Sequence, residues 1–278
     1  MHTWGRSHQR LSVEALPAEG LSRIGQVIHV GLDGPGLLRP GDRTDPSAVS
    51  FRSVAELTVV TAGELEFRDS LGNRGVLTTG QVRLLSGGAG VVSEIGPSRA
   101  MRRDGGDHQT LTVRWLQPGQ PVVPTVRMAE EIPSAGQGRS TIATLVGADG
   151  AVAAPGGIHV WAAEVAPGAT VDLPIPPQRV AGIVVRRGAV LAGEALTSVE
   201  GPATALFTPS GSDPQRLTLA TQLEGDDGAS VVVLVSPAMD TPMVHQHTVL
   251  AAGDAEELAG VVENARTPGF GPLPRLDG

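Results

Sequence analysis

Residues 57–62 form an apolar run closed by Gly63, and residues 64–68 then alternate, Leu65 and Phe67 against Glu64, Glu66 and Arg68. A period of two marks a strand with one buried and one wet face. Ser70-Leu71-Gly72-Asn73-Arg74-Gly75 supplies residues that tolerate positive φ, as a tight hairpin needs. Val82 opens another strand after Gly80-Gln81, and Ser86-Gly87-Gly88-Ala89-Gly90 is a loop where backbone can pass close to a neighbour. The pattern predicts half of a small antiparallel barrel.

The same period recurs along the chain. Residues 26–39 read as a strand and a loop, and Leu111, Val113 and Trp115 alternate with Thr110, Thr112 and Arg114. Residues 117–139 are rich in Pro and Gly with no sustained period, which predicts an inter-domain connection. Further strands are predicted over 140–146, 158–165, 170–175, 180–188, 203–208, 215–220 and 230–235. Residues 253–265 predict a helix: Asp254 caps it, Glu256 and Glu257 favour its dipole, and Leu258, Val261, Val262 and Ala265 form its apolar stripe. The expected fold is all-β, two antiparallel β-sandwich barrels face to face with a short C-terminal helix. The expected units are 1–116, a connection at 117–139, and 140–278.

At 278 residues both units can bury a core, and 37 glycines, 22 prolines and 3% aromatic content suit many short strands packed with Val, Leu and Ala. A net charge of −8 argues against nucleic acid, whose phosphate backbone needs a concentrated basic surface. The chain has no Cys, Lys or Tyr, which removes disulfides, thiolate nucleophiles, Schiff bases and phenolic acids. Its N-terminus lacks a long apolar run, so neither a secretory signal nor a membrane partner is expected, and the expected location is cytoplasmic.

The wording of the first half resembles the pirins, bicupin proteins with a stretch like E-G-x-x-x-H-x-D-S-x-G-N-x-G-x-x-x-P-G-D-V-Q-W-M-T-A-G-x-G-I-x-H-x-E. Gly63, then Arg68-Asp69-Ser70-Leu71-Gly72-Asn73-Arg74-Gly75, Gly80-Gln81-Val82 and Gly88-Ala89-Gly90-Val91-Val92 fall in register with it. His108-Gln109-Thr110-Leu111 resembles the family's closing strand, and Thr267-Pro268-Gly269-Phe270-Gly271 its closing G-x-F-G. The resemblance implies two cupin domains and a metal held by a His-x-His and a His-x-Glu pair. Those positions land on Val49 and Phe51, and on Ser93 and Ile95, and no histidine lies between His29 and His108. First-row metals in such sites want imidazole or carboxylate. No metal and no cofactor are therefore expected.

Within this register, Glu56 falls where the general cupin motif places its carboxylate. Inside a barrel lined by Val49, Phe51, Arg52, Val59, Ile95 and Trp115 it would be desolvated and could act as general base or acid. It could equally point outward as a strand-edge charge. Alternation lets only one of Ser93 and Glu94 face the cavity, and the family register favours Ser93. A hydroxyl there could orient a substrate carbonyl. His108 is a structural hydrogen-bonder or a catalytic candidate, and His29 a packed residue more than a ligand. Arg102 and Arg103, in a polar loop, either clamp an anion or stand in solvent. His245-Gln246-His247 has His-x-His spacing with no third ligand nearby in sequence.

In pirins, quercetin dioxygenase and iron-dependent coregulator roles rest on the metal. The expectation is instead a mostly apolar cavity for a hydrophobic small molecule, acting as a metal-independent isomerase or cyclase of bacterial secondary metabolism, by holding one conformer and excluding water. The alternatives are a non-catalytic binder of a ligand or protein, and a dioxygenase with relocated ligands. Either a monomer or a homodimer is compatible.

Overall fold

Each run of alternating residues pairs with a neighbour that completes its buried face, and the pairing closes two barrels in chain order. The computed structural model describes residues 12–42, 46–119, 123–154, 156–207, 214–223, 227–239, 243–266 and 270–273. The first half holds β1 (Ser12–Leu16), β2 (Val27–Leu38), β3 (Ser47–Phe51), β4 (Val54–Ala62), β5 (Glu64–Asp69), β6 (Arg74–Thr78), β7 (Val82–Ser86), β8 (Val91–Pro97), α1 (Arg99–Asp104), β9 (Gly106–Leu116) and β10 (Thr125–Ala129). They form sheets ordered β1-β2-β9-β4-β7-β10 and β3-β8-β5-β6. The second half holds β11 (Ser134–Gln137), β12 (Ser140–Val146), β13 (His159–Val165), β14 (Thr170–Ile175), β15 (Arg179–Arg187), β16 (Ala189–Ala192), β17 (Thr197–Glu200), β18 (Ala203–Phe207), β19 (Gln215–Ala220) and β20 (Ala229–Pro237). Its sheets run β11-β12-β13-β20-β15-β18 and β14-β19-β16-β17. A hairpin, β21 (Val244–Gln246) and β22 (Leu250–Ala252), precedes helix α2 (Ala255–Arg266).

The fold is the expected all-β pair of barrels with a short C-terminal helix, and the Asp254 carboxylate accepts the Glu257 amide as predicted, at 2.9 Å. The predicted end of a strand at Thr208 and residues Thr267, Pro268 and Gly269 lie outside the described residues. The stretch read as a polar loop begins as helix α1, because the Ser98 hydroxyl caps the Met101 amide at 3.1 Å. Its Arg102 reaches Glu66 at 2.6 Å, while Arg103 pairs with its neighbour Asp104. The connection at 117–139 also carries strands: β10 pairs with β7, and β11 with β12. Both are sheet-edge additions with largely exposed side chains, so no apolar period marks them.

On β4 both faces are buried. Ala55, Leu57 and Val59 join Val82, Leu84, Leu111, Val113 and Trp115 in a cluster shared with Leu145, Val160, Val184, Val232 and Leu234 of the second half. The barrels therefore meet face to face through hydrocarbon. The second barrel is apolar inside, with Val171, Leu173, Ile183, Leu217, Val231 and Val233 in one cluster. Its His159 stacks on Trp161 with ring centroids 5.3 Å apart.

Burial first, then the charge of Arg179, holds the His159 pKa below the ordinary 6.5, and burial followed by the charge of Arg114 does the same at His29. A histidine depressed in the fold contributes stability above the unfolded value, and that stability is lost as pH falls through the folded value. The urea midpoint is expected to drop between pH 7.5 and pH 5, with part of that dependence removed in His159→Phe. A midpoint that rises over this interval would contradict the assignment.

The C-terminal segment crosses back to the first barrel. Arg52 donates its amide to the Val249 carbonyl at 3.1 Å and accepts the Ala251 amide at 3.0 Å, while the Ser70 hydroxyl donates to the Phe270 carbonyl at 2.6 Å. Gly90 lets the Phe270 ring approach so closely that a Cβ there would lie 2.5 Å from it. The segment from Met243 onward packs on the first barrel, beyond the boundary that sequence alone suggests.

Candidate functional site

The four positions to which the resemblance assigns metal ligands do converge. Val49 pairs with Ser93, and Phe51 with Val91, across β3 and β8, so Val49, Phe51, Ser93 and Ile95 share the barrel-facing side. Phe51 and Val91 pack there with Ile28, Val54, Leu85 and Leu116. As a donor set these positions offer one neutral hydroxyl among hydrocarbon, which does not fit a first-row metal. Among the described residues no three His, Asp or Glu side chains come together as a metal centre.

What stands there instead is Arg83. On β7, Val82 and Leu84 face the second barrel, so Arg83 and Leu85 face inward. The Arg83 side chain spans the barrel, 0% exposed, and its Nη2 donates to Asp69 Oδ2 at 3.2 Å and to Ser93 Oγ at 3.0 Å. Its guanidinium carbon lies 4.8 Å from the Phe67 ring centroid, within cation–π range. Asp69, also 0% exposed, is fixed by its own turn: Oδ1 accepts the Leu71 amide at 3.0 Å, the Asn73 amide at 3.1 Å and Asn73 Nδ2 at 3.0 Å. The Asp-Ser-Leu-Gly-Asn turn thus aims a carboxylate at the guanidinium. Burial pushes the Arg83 pKa down, with the charges of Glu56 and Asp69 opposing it. Two of its five N–H donors are used, and Nε and Nη1 meet no partner among the described residues.

A second pair lies beside the first. Glu56 points inward from β4 and accepts Arg114 Nε at 2.8 Å. Arg114, on β9, also donates from Nη1 to Thr248 Oγ1 at 3.0 Å, and its guanidinium carbon lies 5.7 Å from the Phe51 ring centroid. Thr248 and His247 form the β21–β22 turn at φ values of 57° and 50°, the left-handed pair that a tight hairpin turn requires. The C-terminal hairpin therefore delivers a hydroxyl to the barrel mouth. His29, opposite Arg114 in the sheet register, pairs through Nδ1 with Glu14 at 3.1 Å.

Several expected site residues stand elsewhere. Val59 and Trp115 belong to the core between the barrels and do not line the cavity: Val59 is three positions from Glu56 on one strand, and so on its other face. Glu94 turns to the outer face, where Arg68 Nε reaches it at 2.9 Å. Arg52 turns out to the Ala89 carbonyl and to Glu257 of α2, at 3.1 and 3.4 Å. His108 is buried and bound to Asp33 at 3.1 Å, six residues along β9 from Arg114, a distance of about 20 Å. Ile95 packs inward near Val60, Leu65, Phe67 and Leu77. His247 lies in the hairpin turn, so the His245-Gln246-His247 pair does not share a strand face. The interior combines hydrocarbon with two charged pairs, Arg83–Asp69 and Arg114–Glu56, where a mostly apolar lining was expected. A groove of about 470 Å³ lies at the barrel's other end, beside Gly63 and Met101, where Glu64 already accepts Ser98 Oγ and Asp104 is held by Arg103. Arg83 escaped the sequence reading, and its signal was a lone charge within the apolar run Val82-Arg83-Leu84-Leu85, where the pirin stretch carries Gln.

The Pirin family model matches residues 37–115, which spans β3 to β9. A crystal structure of quercetin 2,3-dioxygenase from Acinetobacter baumannii superposes with a TM-score of 0.80 at 20% identity, covering 89% of this chain and 87% of that one. YhhW from Escherichia coli superposes at 0.63 with 15% identity, over 87% of this chain and 95% of that one. GK1651 from Geobacillus kaustophilus gives 0.67 and 18%, over 83% and 90%. No curated protein sequence matches. At these identities the superpositions establish the two-barrel fold, and the Pirin match places a Pirin-like sequence in the first barrel of that fold.

Proposed function

We propose that this chain is a metal-free bicupin that binds a small molecule in its first barrel and carries out no oxygen chemistry. The observation that carries the reading is the Arg83 guanidinium, fully buried and hydrogen-bonded to Ser93 at one of the four family ligand positions. A fixed positive charge there opposes a divalent cation, and the side chains around it supply one hydroxyl where imidazoles would be needed. A dioxygenase with relocated ligands finds no donor cluster among the described residues. The reading joins the two remaining expectations at their common step, binding.

Isomerisation or cyclisation is the second reading, and the inward placement of Glu56 favours it. A bound molecule could pass a proton to Glu56 while a guanidinium stabilises the oxyanion that develops. Glu56 is already engaged by Arg114, so this reading requires the substrate to compete for that carboxylate. Binding without turnover requires no such exchange.

Tag-free protein offered iron, nickel, copper and zinc, then dialysed, is expected to retain far less than one metal per chain. It is also expected to leave quercetin unchanged in air. Stoichiometric metal together with quercetin loss would overturn the proposal.

A further inference from the structure

Resting on the small-molecule reading above, we propose that the inner faces of Arg83 and Arg114 form a binding site for a small monocarboxylate. Arg83 is buried, yet among the described residues only its Nη2 is occupied; Nε and Nη1 meet no partner there, although buried donors are as a rule matched by protein or by a bound molecule. These idle donors lie in the barrel that also holds Arg114, which spends one donor on Glu56 and one on Thr248. The Arg114 side chain, held by Thr248 of the hairpin turn, is 20% exposed and is the more accessible of the two guanidiniums.

The chemistry narrows the class. A guanidinium is a donor only, so its complement is an acceptor-only group, and a carboxylate with two oxygens is the smallest organic one. The two arginines are balanced by Asp69 and Glu56. One extra negative charge can be carried by the spare donors of the two arginines, whereas a dianionic phosphate doubles attraction and repulsion alike while its desolvation cost rises about fourfold. Phe51 and Phe67 flank the two guanidiniums, which suits a flat organic acid. Water is the competitor for the same donors.

The test uses the full chain, calorimetry, and benzoate, acetate, benzamide and inorganic phosphate as probes. Benzoate is expected to bind saturably, with benzamide and phosphate silent and binding lost in Arg83→Gln. Arg114→Gln, at a more exposed position, is expected to weaken benzoate by about tenfold or more, the scale of one charge-assisted contact. If Arg83→Gln fails to fold, Arg114→Gln decides the matter, and unchanged affinity in it overturns the proposal. Equal binding of benzoate and benzamide overturns the carboxylate site and leaves small-molecule binding standing. Silence from all four probes in folded wild-type protein overturns the carboxylate site. Benzoate binding that persists in folded Arg83→Gln overturns the site assigned here.

Discussion

Replacing Arg83 with alanine is expected to lower folding stability by about 3–5 kcal/mol, the range for removing one partner of a buried pair. Asp69 would be left fully buried with its turn bonds but without its guanidinium, and the space spanned by the Arg83 side chain would open beside Phe67 and Ser93. The comparison is Arg68→Ala on the outer face, whose pair with Glu94 is partly exposed and is expected to cost about 1 kcal/mol or less. Arg83→Gln should fall between them, because an amide keeps a donor for Ser93 while removing the charge from Asp69. Urea denaturation of the three variants checks the order. An Arg83→Ala midpoint as close to wild type as that of Arg68→Ala would mean that the interior is hydrated and the pair counts for little.

How much of this was legible in the sequence depends on what alternation encodes. Leu65 and Phe67 against Glu66 and Arg68 declare a strand and its buried face, because a strand's side chains must alternate whatever lies beyond. The same rule separates Glu56 from Val59, so a cavity holding both was already inconsistent with a strand there. Alternation is silent where both faces are buried: on β4 every residue from Val54 to Val60 is inside, and only the second barrel's presence distinguishes the core of the interface from the barrel interior. It is silent, too, about partners. Nothing local to Asp69 or Arg83 says that a turn carboxylate and a strand guanidinium fourteen residues apart meet across a barrel. The C-terminal hairpin was equally hidden, since Thr248 reaches Arg114 over a separation of 134 residues. The common face of Val49, Phe51, Ser93 and Ile95 was legible because alternation along two paired strands fixes it, and the β3–β8 pairing shows it.

That register makes a reversal testable. Val49→His, Phe51→His, Ser93→His and Ile95→Glu together would restore the ligand types the resemblance assigns to those four positions. With Arg83 in place the quadruple variant is expected to stay essentially metal-free. At about 4 Å a divalent ion and a guanidinium repel by about 8 kcal/mol at an effective dielectric of 20, roughly half of which a carboxylate such as Asp69 offsets. The remaining few kcal/mol correspond to about a thousandfold in affinity. Adding Arg83→Gln, the residue the pirin stretch carries there, removes the repulsion and frees Asp69 to serve its turn alone. The quintuple variant is therefore expected to bind about one nickel or iron per chain, read by elemental analysis after dialysis, provided circular dichroism shows both variants folded. Metal at stoichiometry in the quadruple variant would show that Arg83 moves aside, and the guanidinium would then be a passenger in the barrel that keeps no ion out. Metal in neither folded variant would place the obstacle in the surrounding packing, with Phe67 and Leu85 the first side chains to examine. Only a difference between the two isolates the charge, because they differ at position 83 and nowhere else.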